Sequence, residues 1–357
     1  MDKNNYFETR SVSANERINN ILETLPYYVR EFFVGIENRT SPLTRLNYAY
    51  DMRVFFDYLS KRRYKGTKID EISLKQIEQL EVSEIEMFLS YLNHYTINGK
   101  QEVCTERGKA RKLATLRSFY KYFFNKGYII ANTASKVSMP KIHDKEIIRL
   151  ENNGKVNEIA GIINTAESGL GLTKKQQEFH EKTRLRDVAI ITLFLGTGIR
   201  ISELVGLNLD DIDYKQNSFI VTRKGGNRTI LYFNNEVKAV LEDYTIERNC
   251  KSGVPTDEKA LFLSLQNKRI STRTVQELVK KYAKIVSPLK KITPHKLRST
   301  FGTNLYNQTG DIYMVADVLG HKDVNTTKRH YAAITDDVRK RASKSIKLRD
   351  ESDDWFK

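Results

Sequence analysis

Apolar residues along the first 140 or so positions recur at the spacing of helix faces. Tyr48, Met52, Phe55, Phe56 and Leu59 fall at i, i+4, i+7, i+8 and i+11, and Ser41-Pro42 ahead of them reads as a cap followed by proline at the first helical position. Ser83 with Glu86 has the form of a capping box, beside a stripe at Ile85, Phe88, Leu89 and Leu92. A third stripe, Leu113, Leu116, Tyr120 and Phe123, stops at Gly127. These patterns predict a compact helical domain of about four to five helices.

The pattern then changes. Met139 to Glu151 (MPKIHDKEIIRLE) is charged and irregular, as expected of a linker, and a polar amphipathic stretch follows to residue 186. Its GLGLTKK segment reads as a loop, because the glycine and lysine spacing is not that of a P-loop. Apolar residues from Leu185 to Leu195 predict a buried helix broken at Gly196-Thr197-Gly198. The clear β signal is SFIVTR (218–223) and TILYF (229–233) around Lys224-Gly225-Gly226-Asn227, a hairpin. Helices are expected again over 274–286, 295–306 and 311–319. The predicted fold class is mainly α with a small β-sheet. Residues 1–140 form a helical domain, 141–155 a linker, 156–342 a mixed α/β domain and 343–357 a C-terminal tail.

Composition fits this division. A chain of 357 residues, 39% hydrophobic and 10% aromatic, has the material for two folded interiors. Sixty lysines and arginines against 44 acids leave a net charge of +16, which points to a polyanionic partner. A membrane fits less well: no run of about 18 apolar residues is present, and the opening MDKNNYFETR lacks a signal peptide's apolar core. Cys104 and Cys250 fall in different predicted domains, which argues against a disulfide framework or zinc site and for a reducing cytoplasm. Lys61, Arg62 and Arg63 end one predicted helix, where cations often serve only the helix dipole. The denser set Arg107, Lys109, Arg111, Lys112, Arg117 and Lys121 is expected to contact phosphates of the polyanion.

The chemistry concentrates further on. Leu319-Gly320-His321 is followed, ten residues after the histidine, by Tyr331; Arg200 lies in TGIRISEL, Lys224 in TRKGGNRT, and His295 and Arg298 in PHKLRST. Cutting a phosphodiester with a side chain needs an in-line nucleophile, fixed cations for the non-bridging oxygens and a proton for the leaving 5′ oxygen. Arginines suit the second demand because a planar guanidinium gives paired hydrogen bonds and stays protonated. Histidine or lysine suits the third. With this much positive charge no metal or other cofactor is required, and the chain shows no carboxylate cluster for magnesium. Taken alone, each residue has an ordinary explanation: Tyr331 is one of 19 tyrosines, Lys224 a hairpin-tip lysine with Arg223 and Arg228 as alternatives, and His295 a turn histidine.

Together these motifs resemble the tyrosine recombinase, or phage integrase, family. The likeness covers most of the chain and, in length and in the spacer between residues 150 and 186, leans to the Xer type whose members act alone. It implies a SAM-like helical core-binding domain and a tyrosine-recombinase catalytic domain gripping duplex DNA. It assigns Arg200 and Arg298 to the scissile phosphate, Lys224 to the leaving 5′ hydroxyl, His295 to proton transfer, His321 to a phosphate hydrogen bond, and Tyr331 to a 3′-phosphotyrosine. Glu203 would stand behind Arg200 and fix it. Ser299 and Ala333 depart from many relatives, which have histidine at both places. The implied partners are double-stranded DNA with inverted-repeat arms, a homotetramer on that DNA and a DNA translocase; Ile346, Leu348, Trp355 and Phe356 would anchor the tail on a neighbouring protomer. Chromosome dimer resolution and integration of a mobile element share the chemistry and both stay open. A type IB topoisomerase and an inactive DNA-binding regulator are the rivals of other kinds.

Overall fold

The structure, a computed structural model, describes residues 6–142, 150–151, 157–223, 226–256, 258–320 and 324. Lys224, His321 and Tyr331 lie outside the described residues, as does the tail at 343–357. The chain divides into two compact units, Met1–Lys145 and Glu146–Lys357.

The first unit holds α1 (Tyr6–Leu22), α2 (Tyr27–Gly35), α3 (Pro42–Tyr58), α4 (Leu74–Glu78), α5 (Val82–Tyr91), α6 (Glu106–Asn125) and α7 (Thr133–Lys136). Ser41 caps α3 as expected, its Oγ accepting from the Thr44 amide at 3.3 Å. The three apolar stripes meet in one core with Phe32 and Phe119. There Phe119 packs edge-on against Phe32 and Phe123, with centroids 5.4 and 5.0 Å apart. Burying each such ring contributes about 1.5–3 kcal/mol.

One local expectation is corrected and one element is new. The cap of α5 is Glu81, whose amide donates to the Glu84 carboxylate at 2.9 Å, and not Ser83. Leu80 is buried in the core, and the chain turns into helix directly after it. Between α5 and α6 the chain also forms a small hairpin, β1 (Tyr95–Ile97) with β2 (Lys100–Glu102). Its turn is Asn98-Gly99, with φ of 51° and 73°, the turn that matches the twist of two strands.

The second unit holds α8 (Glu158–Ser168), α9 (Lys174–Glu181), α10 (Arg184–Thr197), α11 (Ile201–Gly206), α12 (Asn235–Cys250), α13 (Thr272–Val286), α14 (Pro294–Thr309) and α15 (Ile312–Leu319). Its antiparallel sheet runs β3 (Ile212–Asp213), β4 (Ser218–Thr222), β5 (Arg228–Tyr232). The expected hairpin pairs Phe219 with Leu231 and Thr222 with Arg228. The short β3 has no periodicity of its own to announce it. The helix α10 is apolar nearly all round, so it sits centrally, packed by α8, α12 and α14.

At the start of α10, Asp187 is 1% exposed. It accepts from Arg186, Thr183, Lys281 and the Tyr282 hydroxyl. This hub fixes the N-terminal end of the helix whose other end leads into the candidate site. No helix among the described residues is long and apolar enough to cross a membrane.

Candidate functional site

The site forms where α10 stops. Gly198 caps α10 in the left-handed region, with φ 63° and ψ 23°, and the chain re-enters a helix three residues later, at Ile201. Arg200 is thereby the cap of α11, in extended conformation. Glu203, one turn on and 3% exposed, takes both of the arginine's nearest donors. Its Oε2 accepts from the Arg200 amide at 2.9 Å and its Oε1 from Arg200 Nη1 at 2.8 Å. One buried carboxylate thus accepts from the amide that opens the helix and orients the guanidinium with its two oxygens.

The second arginine comes from α14. Pro294 opens that helix, so His295 and Arg298 lie three residues apart on neighbouring positions of one face. Arg298 is 6% exposed, whereas His295 is exposed. Arg298 donates from Nη1 to the Gly198 carbonyl and from Nη2 to the Leu319 carbonyl. The remaining Nη2 of Arg200 donates to the Gly320 carbonyl at 2.8 Å.

Both arginines therefore converge on one feature, the C-terminal end of α15. The last carbonyls of a helix have no partners within it and carry the negative end of its dipole, so guanidinium groups are favoured there. The helix itself is seated by Val315 and Leu319 against Phe301, Leu305 and Tyr306 of α14. Arg200 and Arg298, 98 positions apart in sequence, are thus brought to one place, and the chain that leaves that place begins with His321. Among the described residues no group of three or more His, Cys, Asp or Glu side chains is placed to hold a metal ion.

The row expected to meet DNA phosphates in the first unit is narrowed. Lys109 and Lys112 are each only 7% exposed. Lys109 Nζ donates to Glu106 and Asn93, both at 2.6 Å. Lys112 Nζ donates at 3.0 Å to Asp51, a carboxylate 1% exposed that also accepts from Thr115 and Arg111. Arg117 gives Nε and Nη2 to the carbonyls of Ala134 and Val137. These cations hold α6 to its neighbours, so Lys109, Lys112 and Arg117 do not form an open phosphate-binding row. Arg107 and Lys121 are exposed, and Arg111 keeps 44% of its side chain exposed while bonded to Asp51. The sequence signal that was missed is Asp51 itself: an acid within the apolar stripes of α3 has to be met by cations from the facing helix.

Comparison with known proteins places the chain in a family. The pattern of the phage integrase family matches residues 156–337, and that of the phage integrase N-terminal SAM-like domain matches residues 29–127. The tyrosine recombinase XerC of Caldanaerobacter subterraneus subsp. tengcongensis is 36% identical over 83% of this chain and 79% of its own length. The tyrosine recombinase XerS of Streptococcus pneumoniae is 30% identical over 93% of this chain and 98% of its own. Among solved structures, the XerH site-specific recombinase bound to a palindromic difH substrate shares the fold with a TM-score of 0.63, at 18% identity over 85% of this chain and 80% of that one. Matched along both units, this chain belongs to the phage integrase family, the tyrosine recombinases.

Proposed function

We propose that this protein is a site-specific recombinase of the Xer type that cuts and rejoins duplex DNA through a 3′-phosphotyrosine at Tyr331. The observation that carries the reading is the convergence of Arg200 and Arg298 on the carbonyls of Gly320 and Leu319. Two guanidiniums held in fixed orientation beside the Leu319-Gly320-His321 motif form a preorganised cationic site, the requirement for gathering the charge of a pentavalent phosphorus transition state. Arg200 has N–H groups beyond those given to Glu203 and Gly320, because a guanidinium carries five.

In the first step the Tyr331 oxygen attacks the phosphorus and loses its proton, with His295 assisting. The bond to the 5′ oxygen breaks, and that oxygen leaves as a hydroxyl with a proton from Lys224. Arg200, Arg298 and His321 hold the non-bridging oxygens. In the second step a 5′ hydroxyl from the partner duplex attacks the phosphotyrosine and the tyrosine leaves. One phosphodiester is exchanged for another through a phosphotyrosine ester, so no nucleotide hydrolysis is needed. Four protomers on inverted-repeat arms complete the exchange in two rounds, and a DNA translocase brings the two sites together. The likeness to Xer proteins along nearly the whole chain favours chromosome dimer resolution, in a reducing cytoplasm that suits the free Cys104 and Cys250.

The reading is tested with nicked duplexes built on inverted-repeat sites selected from chromosomal fragments that the protein binds. The native chain accumulates a covalent adduct and Tyr331→Phe binds the same duplex without forming one. Absence of any adduct with the native chain, on DNA it binds specifically, contradicts the proposal. Bound sites clustered in one chromosomal region fit dimer resolution, and sites at the ends of a mobile element point to integration.

A further inference from the structure

A third arginine reaches the end of α15. Arg223 follows β4, and its Nη2 donates to the Val318 carbonyl at 3.2 Å. Three successive carbonyls, of Val318, Leu319 and Gly320, are thus each held by a guanidinium from a different element. Arg223 also lies close against Gly320. That residue has φ 60° and ψ 48°, and a Cβ there would overlap the Arg223 guanidinium, so glycine is demanded both by the backbone and by the arginine. The Nε of Arg223 is buried and finds no acceptor among the described residues. A buried N–H in that condition opposes folding, so the side chain is held in place by its contact with Val318 and Gly320 and not by a full set of hydrogen bonds. Along the chain, Lys224 comes directly after Arg223 and His321 directly after Gly320. The contact therefore ties together the two segments that lead into the proposed general acid and the proposed phosphate donor.

We propose that Arg223 is a positioning residue of the phosphate site, a brace that fixes the C-terminal turn of α15 against the β4–β5 hairpin. This rests on the recombinase reading above. A side chain in that role sets the geometry of its neighbours without supplying charge to the phosphate itself, so its loss is felt in the rate of cleavage and not in the grip on DNA.

The test is single-turnover adduct formation on a nicked duplex, with affinity for the intact duplex measured on the same proteins. Arg223→Ala is expected to slow the adduct about 10–100-fold, since a displacement near 1 Å costs that much, while affinity stays within about threefold. Arg223→Lys is expected to recover part of the rate, because an ammonium keeps one donor for Val318 but not the planar guanidinium close against Gly320. In a cycle with His321→Ala, the double variant should be little slower than His321→Ala alone, because the brace acts through the segment already impaired. Full additivity in that cycle, a wild-type rate for Arg223→Ala, or equal losses of rate and affinity overturns the proposal. If Arg223→Ala fails to fold, Arg223→Lys carries the same cycle and is read the same way. A native chain that forms no adduct sinks the recombinase reading itself, whereas a native adduct with an unimpaired Arg223→Ala sinks only the brace.

Discussion

Glu203 holds Arg200 at two points at once, accepting from its backbone amide and from its guanidinium with a carboxylate that has almost no exposure to water. Replacing that carboxylate by an amide keeps the size and removes the charge-assisted bonds that orient the arginine. Glu203→Gln is therefore expected to lower the cleavage rate about tenfold while leaving DNA affinity nearly unchanged, because only the orientation is loosened. An unaltered single-turnover rate would show that the pair is incidental. At this scale the sequence was most legible. Arg200, Glu203 and Arg298 were identifiable from short motifs, and each sits where one turn of helix or one cap puts it. Arg223 stood only as an alternative to Lys224, because what distinguishes it, its contact with Gly320, is between residues far apart in the chain.

The elements are tied by a few buried charges that no periodicity reveals. Asp51 of α3 collects Arg111, Lys112 and Thr115 of α6. Asp51→Asn leaves Lys112 buried without its countercharge and should lower the stability of the first unit by about 3 kcal/mol in denaturant melts; a loss below about 0.5 kcal/mol, typical of surface changes, would contradict this placement. In the second unit Glu158 opens α8 and is buried, which alone would raise its pKa. Hydrogen bonds from Lys290 at 2.9 Å, Ser287 at 2.7 Å and the Glu151 amide at 2.6 Å outweigh that and hold it below the usual glutamate value. A depressed acid contributes stability above its unfolded pKa and loses it as pH falls through the folded value. The melting temperature should accordingly drop on acidification below the ordinary glutamate range, and Glu158→Gln should lower it at neutral pH while flattening part of that acid limb. An unchanged limb in the variant would remove Glu158 as the cause. The apolar stripes announced α3, α5 and α6, and the all-round apolar run announced α10. The β1–β2 hairpin was signalled only by Asn98-Gly99, and the cap of α5 was misplaced because Ser83 imitates a box that the buried Leu80 sets two residues earlier.

At the scale of the whole molecule the charge of +16 implied a polyanion, but charge counted along a helix does not say which cations are exposed. On α6, Lys109 is taken up by Glu106 and Lys112 by the buried Asp51 of α3, while Arg107 and Lys121 face water. Arg107→Ala and Lys121→Ala should each reduce the slope of log affinity against log salt by about 1 without altering stability. Lys112→Ala should do the reverse, and salt titrations combined with melts separate the two. The division into two folded units and the family were legible because motif spacing survives when geometry is unknown. Which cations are buried was not, because that depends on contacts between helices. The central claim is that Tyr331 becomes joined to a 3′ phosphate. It is tested most directly by digesting the trapped protein–DNA adduct and sequencing the linked peptide by mass spectrometry, with the freed DNA end assayed for a 5′ hydroxyl. The account predicts a nucleotide on the peptide containing Tyr331 and a free 5′ hydroxyl; linkage at another residue, or to a 5′ phosphate, would contradict it.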